Sequence, residues 1–387
     1  MPEQGSLTGK RVLDLSRLLP GPFATMVLAD LGAQVDKVED PGAGDYLRAM
    51  PPQIAGMNAT FHALNRGKRS LVLDLKRPEG RDALLRLAPR YDVLVESFRP
   101  GVMERLGLGY ETLAAVSPGL VVCAITGYGQ DGPLSGRAGH DINYLARAGV
   151  LGLTGPEGVA PQVPGVQLAD VGGGALFAVI GILAALHGRA RSGKGRLVDI
   201  SMCEGALAFA TYGITSALAG LSLPRGAGVL MGGIAPYGTY ATRDGRAVSL
   251  GALEPKFWIA FCAEVGLEPG SEALVPGPHQ VEWKRRVAEA IGARTHAEWA
   301  DFASRVDCCL EPVLEPEELP GDSQHADRGV FERVPTSEAP AVALRTPVAP
   351  VASGPAPAQG EHGRAILEEA GFSADEIAAL ERARATR

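Results

Sequence analysis

The chain has 387 residues, 46% of them hydrophobic, 21% charged and 5% aromatic, with 50 Gly and 29 Pro. This is the composition of a globular protein of about two domains, and it excludes a disordered or fibrous chain. Lys plus Arg total 37 against 44 Asp plus Glu, a net charge of -7, the wrong sign for a protein that grips a phosphate backbone, so no nucleic-acid partner is expected.

The first 125 residues alternate two periods. Apolar runs at Arg11 to Leu15, Gln34 to Val38, Ser70 to Leu75, Asp92 to Val95 and Leu120 to Ile125 read as buried strands, with helical patterns at Phe23 to Leu31 and Pro78 to Leu87 between them. That alternation predicts β-α-β winding and a parallel, Rossmann-like sheet. Asp170 to Leu186 is apolar on nearly all sides and predicts a buried helix. Arg196 to Ser201 reads as a further strand and Met202 to Leu221 as one long helix.

Glycine density rises after residue 225, which sets a boundary there. Tyr237 to Thr242 and Ala247 to Ala252 flank Arg243-Asp244-Gly245, a strong hairpin signal that opens a second, smaller α/β domain. Helical patterns at Pro255 to Val265, Val281 to Ile291 and His296 to Arg305 precede a last strand at Cys308 to Leu314. Residues 338 to 360 are rich in Pro and Ala and predict an extended connector without a core. Ser373 with Glu376 forms a capping box, and Phe372 with Ile377 a staple, for a C-terminal helix. The domains expected are therefore 1–225, 226–330 and a returning segment, 331–387.

Five cysteines without a C-x-x-C pair suit a reducing cytosol. The N-terminus lacks a signal-peptide core, and the apolar run Ala175 to Leu186 is shorter than the roughly 20 residues that a span needs. A cytoplasmic protein without a membrane partner is expected.

Gly127-Tyr128-Gly129-Gln130-Asp131-Gly132 matches the dinucleotide fingerprint after a strand, but Pro133 and Ser135-Gly136 stand where a helix must open. No P-loop, H-E-x-x-H or G-x-S-x-G motif occurs, so no metal is expected. Three acid/base candidates remain. His140 and its neighbour Asp141 lie in a polar loop between glycines, where a histidine is ordinarily just solvated. Asp170 reads either as a helix N-cap or, given the cost of Gly172-Gly173-Gly174 in a first turn, as a point where substrate approaches the backbone. Glu254 before Pro255 reads equally as a helix-start acid.

These pieces occur in a familiar order. RVLDLSRLLPGPFATMVLADLGAQVDKVE, SLVLDLK, DVLVESFRPGVMERLGLGY, TGYGQDGP, AGHDINYLA, QLADVGGGALFAVIGILAAL, GKGRLVDISM, GGIAPYGTYATRDGRAVSLGALEPKFW and CCLEPVL resemble the family III CoA transferases, the group that also holds the α-methylacyl-CoA racemases. The resemblance implies an enzyme. In transferases the aspartate at Asp170 attacks the acyl-CoA thioester; in racemases a histidine at His140 and that aspartate are two bases, with a glutamate at Glu254 steadying the histidine. The AGHDINY and GALEPKF segments are the racemase versions. A racemase is therefore expected, with transfer of CoA between carboxylic acids as the alternative.

Two-base racemisation needs one acid/base group on each face of the α-carbon, and helix-start N–H groups near the glycines are expected to meet the enolate oxygen. CoA carries phosphates, and Lys37, Arg66, Lys68, Lys76, Arg69, Arg99 and Arg137 are the cations expected to bind it. Asp40 stands where the family often has a basic residue, and the Arg66 to Arg69 run is expected to compensate. No cofactor beyond the CoA of the substrate is expected. The resemblance further implies two chains interlocked like rings in an obligate homodimer.

Overall fold

The structure, a computed structural model, describes residues 5–387. The signal-peptide reading rests partly on residues 1–4, outside the described residues. The chain divides into two compact units. The larger comprises the described residues to Ala148, with Val166–Ala208 and Ser323–Arg387; the smaller comprises Gly149–Gly165 and Phe209–Asp322. The division thus differs from a single cut near residue 225: the loop 149–165 and residues 209–225 join the smaller unit.

The larger unit is built on a six-stranded sheet. Its strands are β1 (Arg11–Asp14), β2 (Gln34–Glu39), β3 (Arg69–Val72), β4 (Val93–Glu96), β5 (Val121–Thr126) and β6 (Leu197–Ser201). The order is β3-β2-β1-β4-β5-β6 and every pairing is parallel. All residues of β4 and β5 are buried, as a sheet covered on both faces requires. Chain order reverses between β1 and β4, so a crevice opens at their carboxyl ends.

One helical segment, Leu168–Ser192, is long and apolar enough to cross a membrane by length and composition. The helix instead packs on β5 and β6 and buries Ala178, Val179, Ile182 and Ala185. Its first part, Leu168–Leu176, is a π-helix. Gly173 and Gly174 face helix Met202–Phe209: a Cβ on Gly173 would lie 2.6 Å from Met202 O and 2.7 Å from Ala206 N. Close helix packing, rather than an approaching substrate, accounts for these two glycines. The chain 202–221 is two helices, Met202–Phe209 and Thr211–Leu218, rather than one.

The smaller unit carries an antiparallel sheet of β7 (Tyr237–Ala241), β8 (Ala247–Gly251) and β9 (Leu310–Pro312), with β8 central. The Asp244-Gly245 step makes the β7–β8 turn, with Gly245 at φ 79°. The protein's three tryptophans, Trp258, Trp283 and Trp299, form this unit's core with Phe261 and Phe302. In the returning segment the Pro/Ala stretch is not wholly without structure. Ala341–Leu344 (β11) pairs with Phe331–Val334 (β10), and Ala341, Ala343 and Val334 make a small core. The capping box forms at Ser373, and Ile366, Leu367, Phe372, Ile377 and Leu380 complete the core around Leu13 and Leu71.

Beneath β1 and β2 lies a buried ionic cluster. Lys37 Nζ donates to Ser16 O at 2.8 Å and pairs with Asp45 Oδ2 at 3.0 Å, both side chains being buried. Lys68 Nζ donates to Thr25 Oγ1 at 2.7 Å, Asn65 Oδ1 at 3.0 Å and Asp14 Oδ2 at 3.2 Å. The two lysines hold the Asp14 carboxyl down at about 2, against a burial cost that acts the other way. Lys37→Met would leave Asp45 buried without its cation and is expected to destabilise the fold by about 3–5 kcal/mol; denaturant unfolding of the variant against wild type measures it.

Candidate active site

The crevice at the carboxyl ends of the strands is a cavity of about 590 Å³. Residues following four strands line it: Ser16 and Arg17 after β1, Asp40 after β2, Asp74 and Lys76 after β3, Phe98 and Arg99 after β4. This is where a doubly wound sheet receives a ligand. Its carboxylates are mostly occupied by the protein itself. Asp40 Oδ1 accepts from Gly42 N at 2.8 Å, Asp74 Oδ1 accepts from Lys76 N at 3.0 Å, and Glu39 is paired with Arg48 at 2.6 Å. Asp45 accepts from the N–H groups of Leu18 and Leu47 and pairs with Lys37.

The cations offered to the cavity are Arg17, Lys76 and Arg99. Arg17 donates to Tyr46 Oη at 2.8 Å and lies 4.7 Å from that ring's centroid. Phe98 N donates to Glu96 Oε2 at 2.6 Å, which fixes the turn that presents Arg99. Sequence reasoning named Lys76 and Arg99 but missed Arg17, whose place directly after the first strand was the available signal.

The structure places the other expected cations elsewhere. Lys37 and Lys68 are buried in the ionic cluster. Arg66 is buried, pairing with Asp30 at 2.6 Å, and Asp30 also accepts from Ala352 N at 2.7 Å, so this pair anchors the connector. Arg69 forks onto Asp36 at 2.7 Å and Glu369 at 2.6 Å, tying helix Gly363–Glu369 to the sheet. None of the four lines the cavity, and the run 66–69 is engaged in holding the fold. Arg137 is exposed in the loop before His140 and does not line the cavity either.

His140 and Asp170 come from two segments of the larger unit. His140 is exposed at the N-cap of helix Asp141–Arg147. Asp170 sits in the first turn of the π-helix and is not its N-cap. Asp141 joins the segments: its Oδ1 accepts from Ala169 N at 2.7 Å and from Asp170 N at 2.9 Å. Val171 N donates to Gln167 O at 3.0 Å. The N–H groups of Ala169, Asp170 and Val171 are therefore already bonded within the protein.

Burial pushes the Asp170 carboxyl up to about 6, Asp141 adds to the rise, and the charge of His140 opposes it. Glu254 lies in the smaller unit, exposed at the N-cap of helix Pro255–Val265 without a side-chain capping bond. That position suits an acid free for other work.

Because the fold favours protonated Asp170, its penalty appears as pH rises from 3.8 to about 6 and is constant above. Asp170→Asn is therefore expected to raise the thermal midpoint above pH 6, with the gain vanishing below pH 4. Parallel melts across this range test the sign.

A family model, CoA-transferase family III, matches residues 7–363. The chain is 41% identical over 382 residues to alpha-methylacyl-CoA racemase of Mus musculus, covering 97% of this chain and 96% of the relative. It is 34% identical over 339 residues to acetyl-CoA:oxalate CoA-transferase of Acetobacter aceti, covering 85% and 86%. Among solved structures, a CaiB/BaiF family protein from Brucella suis matches with a TM-score of 0.80 at 31% identity, over 95% of this chain and all of that one. With both comparisons spanning nearly its whole length, the chain belongs to the family III CoA transferases.

Proposed function

We propose that this protein is an α-methylacyl-CoA racemase that inverts the α-carbon of 2-methyl-branched acyl-CoA thioesters. The observation that carries the reading is the Asp170–His140 pair, joined through Asp141 and lying in a chain similar end to end to racemases.

The chemistry follows from proton bookkeeping. For one enantiomer, the Asp170 carboxylate takes the α-proton and the C–H electrons move into the thioester carbonyl, giving an enolate. A protonated His140 then returns a proton to the opposite face. The other enantiomer runs the same steps backwards, from protonated Asp170 and neutral His140. The pair holds one proton throughout, and inversion in both directions requires its two forms to be close in energy. An ordinary carboxylate, near 3.9, is too weak a base beside an imidazole, near 6.5. Raising Asp170 to about 6 makes it a stronger base than an ordinary carboxylate.

CoA phosphates would meet Arg17, Lys76 and Arg99 in the cavity, with Asp40 folded back onto its own turn. We further propose a homodimer interlocked as in the family. Supporting it, Leu176, Ile180, Leu197 and Leu207 of the larger unit are 39% to 59% exposed, an apolar surface of the kind that association covers.

Four outcomes are expected. In deuterated water, one pure enantiomer of a 2-methylacyl-CoA gains α-deuterium and loses optical purity without a carboxylic acid acceptor. Acceptor-dependent formation of a new acyl-CoA without α-exchange would instead make Asp170 a nucleophile and the enzyme a transferase. The rate falls on the acid side of about pH 6, where Asp170 carries its proton, and His140→Ala lowers it about 10²- to 10⁴-fold. Arg99→Ala weakens binding of free CoA about tenfold, the loss of one charge-assisted hydrogen bond, as isothermal titration would show.

A further inference from the structure

Tyr144 belongs to none of the roles above, yet the segment that presents His140 is folded around it. The side chain is 6% exposed and lies one helical turn beyond His140. Its hydroxyl donates to Gly139 O at 2.6 Å. His140 N donates in turn to Asn143 Oδ1 at 3.0 Å. The peptide plane joining Gly139 to His140 is thus held at both ends, its carbonyl by Tyr144 and its N–H by Asn143. The tilt of that plane sets φ of His140 and hence the direction of its Cβ.

The ring acts as a wedge as well. A Cβ at Gly139 would lie 2.7 Å from Tyr144 Cε1, and one at Gly127 closer still, so two loops close over this ring at residues where only glycine fits. Tyr128, between Gly127 and Gly129, meets the ring edge to face with centroids 5.2 Å apart. The glycines of the GYGQDG loop, which match no dinucleotide site, are explained at Gly127 by this packing. Asp170 raises the affinity of the Tyr144 hydroxyl for its proton and Arg99 of the cavity lowers it, although burial is the larger cause of its rise to about 12. The hydroxyl therefore stays protonated as a donor to Gly139 and lies within reach of charge on both sides.

We infer that Tyr144 is a positioning residue that aims His140 at one face of the α-carbon by holding the Gly139–His140 peptide plane. The inference rests on the racemase reading, and it predicts an asymmetry. Asp170 is held through Asp141 and not through Tyr144, so loosening the plane impairs the face served by His140 alone.

Tyr144→Phe keeps the wedge and removes the hydrogen bond. The full-length variant is expected to keep its thermal midpoint and its KM for acyl-CoA while kcat for racemisation falls about 10- to 100-fold, the scale of a misaimed catalytic group. Equilibrium forces kcat/KM to be equal for the two directions of racemisation, so the deciding readout is α-deuterium exchange with retention, begun from each pure enantiomer. In the variant, exchange persists for the enantiomer whose proton Asp170 removes and drops for the other. Gly139→Ala, which presses a methyl group against the same ring, should produce the same asymmetry if folded. Equal slowing of both enantiomers, or no change, overturns the role of Tyr144 while leaving the racemase intact. Absence of α-exchange in wild type overturns the racemase reading and this inference with it.

Discussion

Two lysines without exposed surface, Lys37 and Lys68, lie under the carboxyl ends of the first strands, and the geometry of the crevice depends on keeping them charged. A buried ammonium persists only with good partners on every side. Lys37 is satisfied by Ser16 O and Asp45, and Lys68 by Asp14, Thr25, Asn65 and Pro22 O. Two of those partners, Ser16 and Asp45, line the crevice. Ser16 precedes Arg17, and Asp45 accepts from the N–H of Leu18, a residue held at φ 66°. The backbone on either side of Arg17 is therefore held through Lys37, a cation that does not line the cavity.

A similar economy of contacts appears at the acid/base pair. Asp141 adjoins His140 in sequence and bonds the backbone of Asp170, so one carboxylate sets the spacing of the pair. Its charge also helps to lift Asp170, moving an aspartate toward the basicity of an imidazole. Position and proton affinity are thereby linked in a single side chain. The same lift costs stability at neutral pH, where the carboxyl must ionise.

Much of this was legible from residue order. The strands at 11, 34, 93 and 121, the helix Pro78–Leu87, the 243–245 turn and the Ser373 capping box are local patterns whose physics acts over a few residues. The π-helical start at Leu168–Leu176 and the break at Ala210 were not; the first packs Gly173 against Met202 and Ala206, which lie about 30 residues further along the chain. The strand Ala341–Leu344 was hidden by its Pro/Ala composition and exists because Phe331–Val334 pairs with it.

The charges divide in the same way. Residue type and motif order place His140, Asp170 and Glu254 in an acyl-CoA enzyme, because a thioester α-carbon needs acid/base groups that few other residues supply. Which lysine or arginine meets solvent is another matter, for a cation reads alike whether it faces a phosphate or a buried carboxylate. Only the folded chain brings Asp30, Asp36 and Asp45 to Arg66, Arg69 and Lys37 and leaves Arg17 and Arg99 facing the cavity. Partners that lie 8 to 36 residues apart leave no trace in local sequence, and burial, which makes a charge structural or free, is a property of the packed whole.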